Sequence, residues 1–342
     1  MANFDVGNLL TAQTMVSDKY KAPEMRIKPA PAFGLLTSND NILIVGAETL
    51  KTRDDRAIEA HLLARTKRTS GSARAASHTG TIDDSQKITL TWTTKSDKFA
   101  ISLKLLDKSV FDFNTVLANK FEQACMNILE DKETEAIAYL RAQRATQQPT
   151  GLKGVTWEDT NDAIEIDAAD FEKNRFFSKL RSVMRQNYFG NGIDVIADSN
   201  IAVLEEFLNA QGPNNGTNWG YQFQGLNIAE SVELTDANYA GGIVMAMPSG
   251  SVGALNWIPI QNRKGWGDYN TYTGGYGTFT FMGYKFAVHG YSARTDTSAS
   301  NGDTQDVLME FEVSLDSSFN KAPLSYTTGR TDSVIIEFAQ KN

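Results

Sequence analysis

The chain has 342 residues, 41% of them hydrophobic and 22% charged, with a formal net charge of −8. That length supports two or more subdomains, the composition is that of an ordinary folded chain, and the acidic balance argues against a globally basic nucleic-acid binder. Cys125 is the single cysteine, which excludes an internal disulfide, and no apolar run approaches the roughly 20 residues of a membrane span.

The opening "MANFDVGNLL" lacks the basic start and long apolar core of a signal peptide, so a cytoplasm-like setting is expected. Residues 1–50 read as an arm. Pro23, Pro29 and Pro31 favour extended backbone and discourage helix. Apolar islands such as "NILIVG" (Asn41–Gly46) suit strands added to another surface.

Charge then becomes uneven. From Lys51 to Arg74 seven Lys/Arg face three Asp/Glu, whereas from Gly190 onward sixteen Asp/Glu face seven Lys/Arg. "TKRTSGSARAASHTGTIDD" (Thr66–Asp84) has almost no large apolar side chain and is expected to project as a loop. After it, "KITLTWTTK" and "FAISLKLL" alternate with period 2, with Ile88, Leu90 and Trp92 on one face and Phe99, Ile101, Leu103 and Leu105 on another. Ser96–Asp97 suits a turn between them.

A long helix follows, over about 113–147. Asp112 or Asn114 caps it, and Phe113, Leu117, Phe121, Cys125, Ile128, Leu129, Ala136 and Leu140 recur at i+3/i+4 spacing. Glu130, Asp131, Lys132, Glu133 and Glu135 interrupt the apolar stripe. "QQPTGLKG" (Gln147–Gly154) is expected to stop the rod and reverse the chain through Pro149 and Gly151. A second amphipathic helix spans about Lys173–Tyr188, with Phe176, Phe177, Leu180, Val183, Met184 and Tyr188 on its apolar side. "IDVIA" (Ile193–Ala197) reads as a buried strand capped at Asp198 or Ser199, leading into a helix ended by Gly212 and Pro213. Further on, Gly/Asn/Tyr/Trp-rich loops alternate with strand candidates "GLNIAES", "GGIVMAMP", "TFTFMGYKFAVHGY", "DVLMEFEVSL" and "DSVIIEFAQ". The class is α+β, without tandem repeats.

Catalytic constellations are not apparent. His61, His78 and His289 have no partner at metal-ligand spacing. "PSGSVG" (Pro248–Gly253) is not a nucleophile elbow, since Met247 precedes it and no helix pattern follows. "GGYG" (Gly274–Gly277) lacks the lysine of a phosphate loop and reads as a turn, and Glu310 and Glu312 read as a solvated strand face. Arg65, Lys67, Arg68 and Arg74 allow three readings: contact with nucleic-acid phosphates, docking on the acidic surface of an identical neighbour, or a solvated loop. The absence of interleaved aromatics weighs against the first.

In order, these features resemble the major capsid protein of tailed double-stranded-DNA bacteriophages, a fold shared with encapsulin shells and the herpesvirus capsid floor. "FAISLKLLDKSVFDFNTVLANKFEQACMNILEDKETEAI" is similar to that family's passage from extended loop into spine helix. "QQPTGLKG" resembles the turn after it, and "GIDVIADSNIAVLEEFLNAQG" the strand and helix opening the axial domain. The likeness covers about residues 60–260. It implies an N-terminal arm (1–50), an extended β-loop (51–106) and a peripheral domain with the spine helix (107–189), completed by 320–342. Residues 190–319 would then form the axial domain.

The resemblance also implies a non-enzymatic shell protein without cofactors or metals. It would assemble from identical subunits in hexamers and pentamers in the host cytoplasm and reside in the virion. Its other partners would be a portal, a separate scaffolding protein and packaged double-stranded DNA on the inner surface, with no membrane. The proline-containing arm is expected to be too short and too unhelical to serve as a built-in scaffolding segment. An encapsulin compartment is the alternative within the fold, and a monomeric β-rich carbohydrate-binding or carbohydrate-active protein the alternative outside it.

Overall fold

In a computed structural model, the structure describes residues 6–20, 29–39, 59–63, 85–102, 110–147, 152–167, 176–190, 192–202, 225–259, 267–270, 274–296, 305–324 and 330–341. The described strands form two six-stranded sheets and one two-stranded ribbon. The ribbon pairs β1 (Glu59–Leu63) with β2 (Ser85–Thr89) in antiparallel register.

The first large sheet rests on the long helix α3 (Phe113–Ala142), which at ~1.5 Å per residue spans about 45 Å. Asp112 is its N-cap, as the sequence suggested. The sheet contains β3 (Thr93–Ser102), β9 (Val252–Trp257), β10 (Gly267–Asn270), β11 (Gly274–Phe281), β12 (Tyr284–Asp296) and β13 (Gln305–Lys321). β13 is the organiser: it pairs with β3, β12 and β9, all antiparallel. Phe121 of α3 stacks on Phe279 of β11 at 4.9 Å and meets Phe99 of β3 and Phe311 of β13 edge-on at 5.1 and 5.4 Å. One helical ring thus ties three strands to the rod.

The second sheet has the order β4 (Val155–Glu158), β5 (Ala163–Ile166), β14 (Ile336–Gln340), β8 (Ile243–Pro248), β6 (Ile193–Ala197), β7 (Leu226–Glu230). Period-2 alternation divides its side chains between two cores. Ile193, Val195, Val244, Ala246, Ile336 and Phe338 pack with Phe176, Phe177, Leu180, Val183 and Met184 of α4 (Phe176–Gln186). Ile196, Met245, Met247 and Ala339 face the core that includes α3. The two sheets therefore share the long helix as a common wall.

Several expectations change. The first fifty residues are not an extended arm in their described part: α1 (Val6–Lys19) and α2 (Pro31–Ser38) are helices. Leu9, Ala12 and Val16 recur on one face of α1 and are buried with Phe33, Leu35 and Leu36 of α2 in the molecule's own core. Pro31 opens α2 at a position where its missing N–H and fixed φ cost nothing. Asn41–Gly46 lies outside the described residues. Ser96–Asp97 makes no turn, because β3 runs through it along β13, and β2 pairs with β1 instead.

The rod ends at Ala142, ahead of Pro149. Its exit is fixed by tertiary bonds, Ala145 N–H to the Ile335 carbonyl and Thr146 N–H to Asp332. Gly274–Gly277 is strand rather than turn. Tyr188 is 72% exposed rather than part of the apolar face of α4, and the Arg330 guanidinium lies 3.4 Å over its ring.

Strand pairing also groups the chain differently from the boundaries at 107–189 and 190–319. β4, β5 and α4 join β6–β8, whereas β9–β13 join the long helix. Register between distant strands decides this grouping, and chain order does not carry it. Replacing Phe121 with Ala should cost about 3–5 kcal/mol in urea-denaturation stability; a loss under about 1 kcal/mol would show that its three aromatic contacts are dispensable.

Candidate functional site

Arg65, Lys67, Arg68 and Arg74 lie outside the described residues, in the sequence between β1 and β2. His78 is likewise outside. His289 stacks flat on Tyr276 at 4.5 Å across β11 and β12. Glu310 and Glu312 share one face of β13, Glu310 exposed and Glu312 3.8 Å from Lys98, as the solvated-face reading had it. Among the described residues no group of three or more His, Cys, Asp or Glu is placed to hold a metal ion. Cys125 is fully buried, and desolvation raises its thiol pKa well above the usual value.

The buried charges instead sit where Glu130–Glu135 interrupt the apolar stripe of the rod. Glu133 is 1% exposed. Its carboxylate accepts the N–H groups of Ala32 (3.1 Å) and Phe33 (2.9 Å) and the Ser231 hydroxyl (2.5 Å). Ala30, the N-cap residue of α2, offers no side-chain cap, so a carboxylate about a hundred residues away supplies the missing acceptor at the positive end of that helix. At the far end of α2, the Asn39 amide donates to Asp194 of β6 at 2.7 Å, and Ser249 donates to the same carboxylate at 2.8 Å. α2 is thereby pinned at both ends.

Lys132, the neighbouring residue on the rod, is also buried. Its ammonium donates to the Thr93 carbonyl and hydroxyl at 3.1 Å and to Glu135 at 2.7 Å, which anchors the start of β3. Desolvation lowers the Lys132 pKa against the pull of Glu135. Past the end of the rod, Arg144 donates to the buried Glu337 of β14 at 3.0 Å. Burial raises the Glu337 pKa, with Arg144 and Arg141 opposing. No spacing signal in the sequence separates these charges from solvated ones, because their partners are remote in the chain.

α1, α2, the rod, the segment after β7 and the β11–β12 hairpin enclose an open groove of about 1750 Å³. The hairpin turn is Met282–Gly283, with φ of +48° and +86°, the two-residue type I′ geometry that matches strand twist. At Gly34 of α2 the approach is close: a Cβ there would stand 2.9 Å from the Tyr284 hydroxyl, which would have to shift. The described lining includes five carboxylates, Glu130, Asp131, Glu133, Glu230 and Glu233, and no Lys or Arg. Burial pushes the Tyr284 hydroxyl up to about 12, with the Glu133 charge adding.

Burial raises the Glu133 pKa above the ordinary glutamate value, with Ser231, Phe33 and Ala32 opposing and the Glu233 charge adding. The folded state therefore holds the proton more tightly. Its stabilising contribution is complete below the ordinary value and is lost as pH rises through the folded pKa. Glu133→Gln cannot titrate, so the stability of the wild type relative to this variant should fall as pH rises above the ordinary glutamate range. A pH-independent difference in chemical denaturation would contradict the assignment. Glu133→Ala leaves three donors without an acceptor and should cost about 2–3 kcal/mol.

No protein-family model and no curated protein matches the sequence. Solved structures do match. A chain of the cyanophage Pam1 capsid asymmetric unit is 12% identical, with a TM-score of 0.50 over 99% of this chain and 99% of that one. A chain of the cyanophage A-1(L) capsid asymmetric unit is also 12% identical, with a TM-score of 0.50 over 94% of this chain and 95% of the other. Over nearly its whole length, the chain has the α+β fold of these cyanophage capsid chains.

Proposed function

We propose that this chain is a major capsid protein that self-assembles into the icosahedral shell around a tailed phage's double-stranded DNA genome. The observation that carries the reading is the shared fold with the cyanophage Pam1 capsid chain over 99% of both chains. The role is structural, not catalytic, and the place of action is the virion, after assembly from identical subunits in hexamers and pentamers in the host cytoplasm. A portal, a separate scaffolding protein and DNA on the inner surface complete the proposed partners. The physics of the subunit supports it. A rod about 45 Å long serves two sheets, giving a stiff, extended body rather than a closed catalytic cleft. The matched structures reported above are phage capsid chains, which favours the capsid reading over the encapsulin and carbohydrate-binding ones.

The ribbon tip is proposed to be a subunit contact. Arg65, Lys67, Arg68 and Arg74 carry a positive strip on a chain whose later half is acidic, so identical copies attract head to tail, the heterologous pattern that closes rings. Purified protein should form closed particles by light scattering and negative-stain microscopy. A monodisperse monomer at every concentration would overturn the capsid reading. Reversing charge at Arg65, Lys67 and Arg68 should impair assembly while the circular dichroism of the subunit stays native; normal particles from that variant would overturn the docking role.

A further inference from the structure

We infer that Tyr188, with the Arg330 guanidinium stacked on its ring, is a contact hot spot that docks on a carboxylate-bearing surface of a second copy of this chain. The inference rests on the assembly reading above and gives it a contact point apart from the basic stretch 65–74.

Backbone conformation is the first argument. α4 closes with two hydrogen bonds, the Tyr188 N–H to the Arg185 carbonyl at 2.9 Å and the Phe189 N–H to the Met184 carbonyl at 3.1 Å. In this helix ending the first residue past the cap is left-handed and most often glycine. Here it is Tyr188, with φ of +62°, a conformation that strains a bulky side chain. The other described non-glycine residues with positive φ put their side chains to use inside the subunit: Asp162 lies 3.9 Å from Arg144, and Met282 packs against the core. Tyr188 turns its ring to solvent and is more exposed than any other aromatic side chain among the described residues. Phe176, Phe177, Leu180, Val183 and Met184 complete the apolar face of α4 without it. A cation–π contact at so exposed a site stabilises the subunit only weakly.

Preorganisation is the second argument. The Thr331 N–H donates to Asn187 Oδ1 at 3.1 Å, the Asn187 amide donates to the Val183 carbonyl at 3.1 Å, and the Arg330 guanidinium donates to the Gln186 carbonyl. The backbone that carries the ring is thus held from α4 and from the segment before β14. Strain that the surroundings over-determine points to a functional position. A Tyr–Arg pair fixed before contact also loses little side-chain freedom on binding. Charge names the partner. Arg330 and the exposed Arg185 make the site cationic, and from Gly190 onward the chain carries sixteen Asp/Glu against seven Lys/Arg. A second copy therefore offers a complementary surface.

The test is Tyr188→Gly in the full chain. Glycine suits the left-handed position, so the dissociated subunit should unfold at a temperature no lower than the wild type. The concentration at which particles appear by light scattering should nevertheless rise about tenfold. Tyr188→Asn, which also tolerates positive φ, should behave alike, whereas Tyr188→Phe keeps the ring and should assemble near the wild-type threshold. An unchanged threshold for Tyr188→Gly overturns the inference. So does a lowered unfolding temperature, which would make the ring a structural part of its own subunit. Arg185→Glu should raise the threshold as well, and an unchanged or lowered value overturns the acidic partner surface. Normal assembly of Tyr188→Gly with weakened binding to a short DNA duplex would assign the pair to nucleic acid and equally overturn the inference. Wild-type protein that stays monomeric at every concentration sinks the assembly reading and this contact with it; particles indifferent to Tyr188→Gly sink the contact alone.

Discussion

The structure depends on one buried carboxylate. Glu133 lies in the middle of the rod, where an ion without partners would be prohibitively costly, and it is retained because the first turn of α2 presents two backbone donors to it. The exchange is reciprocal: α2 lacks a capping side chain of its own, and the Glu133 carboxylate gains two backbone donors and the Ser231 hydroxyl. From this contact the rest follows. α2 is held against the rod, β9 and β7, and so against elements of both sheets at once. Asn39 extends the same arrangement to Asp194 on β6.

The rod itself works as a shared wall. Phe121 binds the first sheet through three aromatic rings, and Lys132 fixes the first residue of β3 through its backbone carbonyl. Further along, Arg144 grips β14 in the second sheet through Glu337. Anchors on the helix and just past its end thus tie to one axis two sheets that have no strand in common.

Local periodicity carried much of this in the primary structure. The heptad-like spacing from Leu117 to Leu140, the run Ile193–Ala197 and the alternation Phe99/Ile101 each specify an element and its buried face, and the folded chain has all three. What depended on remote partners was invisible. Lys132 and Glu133 look like solvated charges until Thr93, Ala32 and Phe33 are brought beside them. Prolines at 29 and 31 suggested extended chain, because a proline at the first position of a helix reads the same as one that forbids a helix. The grouping of β9–β13 with the rod follows from β13 pairing with β3 across some two hundred residues, and composition does not encode such pairing. The groove was legible only as a surplus of Asp and Glu late in the chain; its acidic walls come from the rod and the segment after β7, which fold places side by side.

The position of β14 has a consequence for synthesis. That strand lies between β5 and β8, parallel to one and antiparallel to the other. Until residues 336–340 have left the ribosome, the β4–β5 hairpin and the β6–β7–β8 group remain two separate fragments with unsatisfied edges. Closing the sheet therefore waits for residues 336–340, which follow every other described strand of that sheet in chain order.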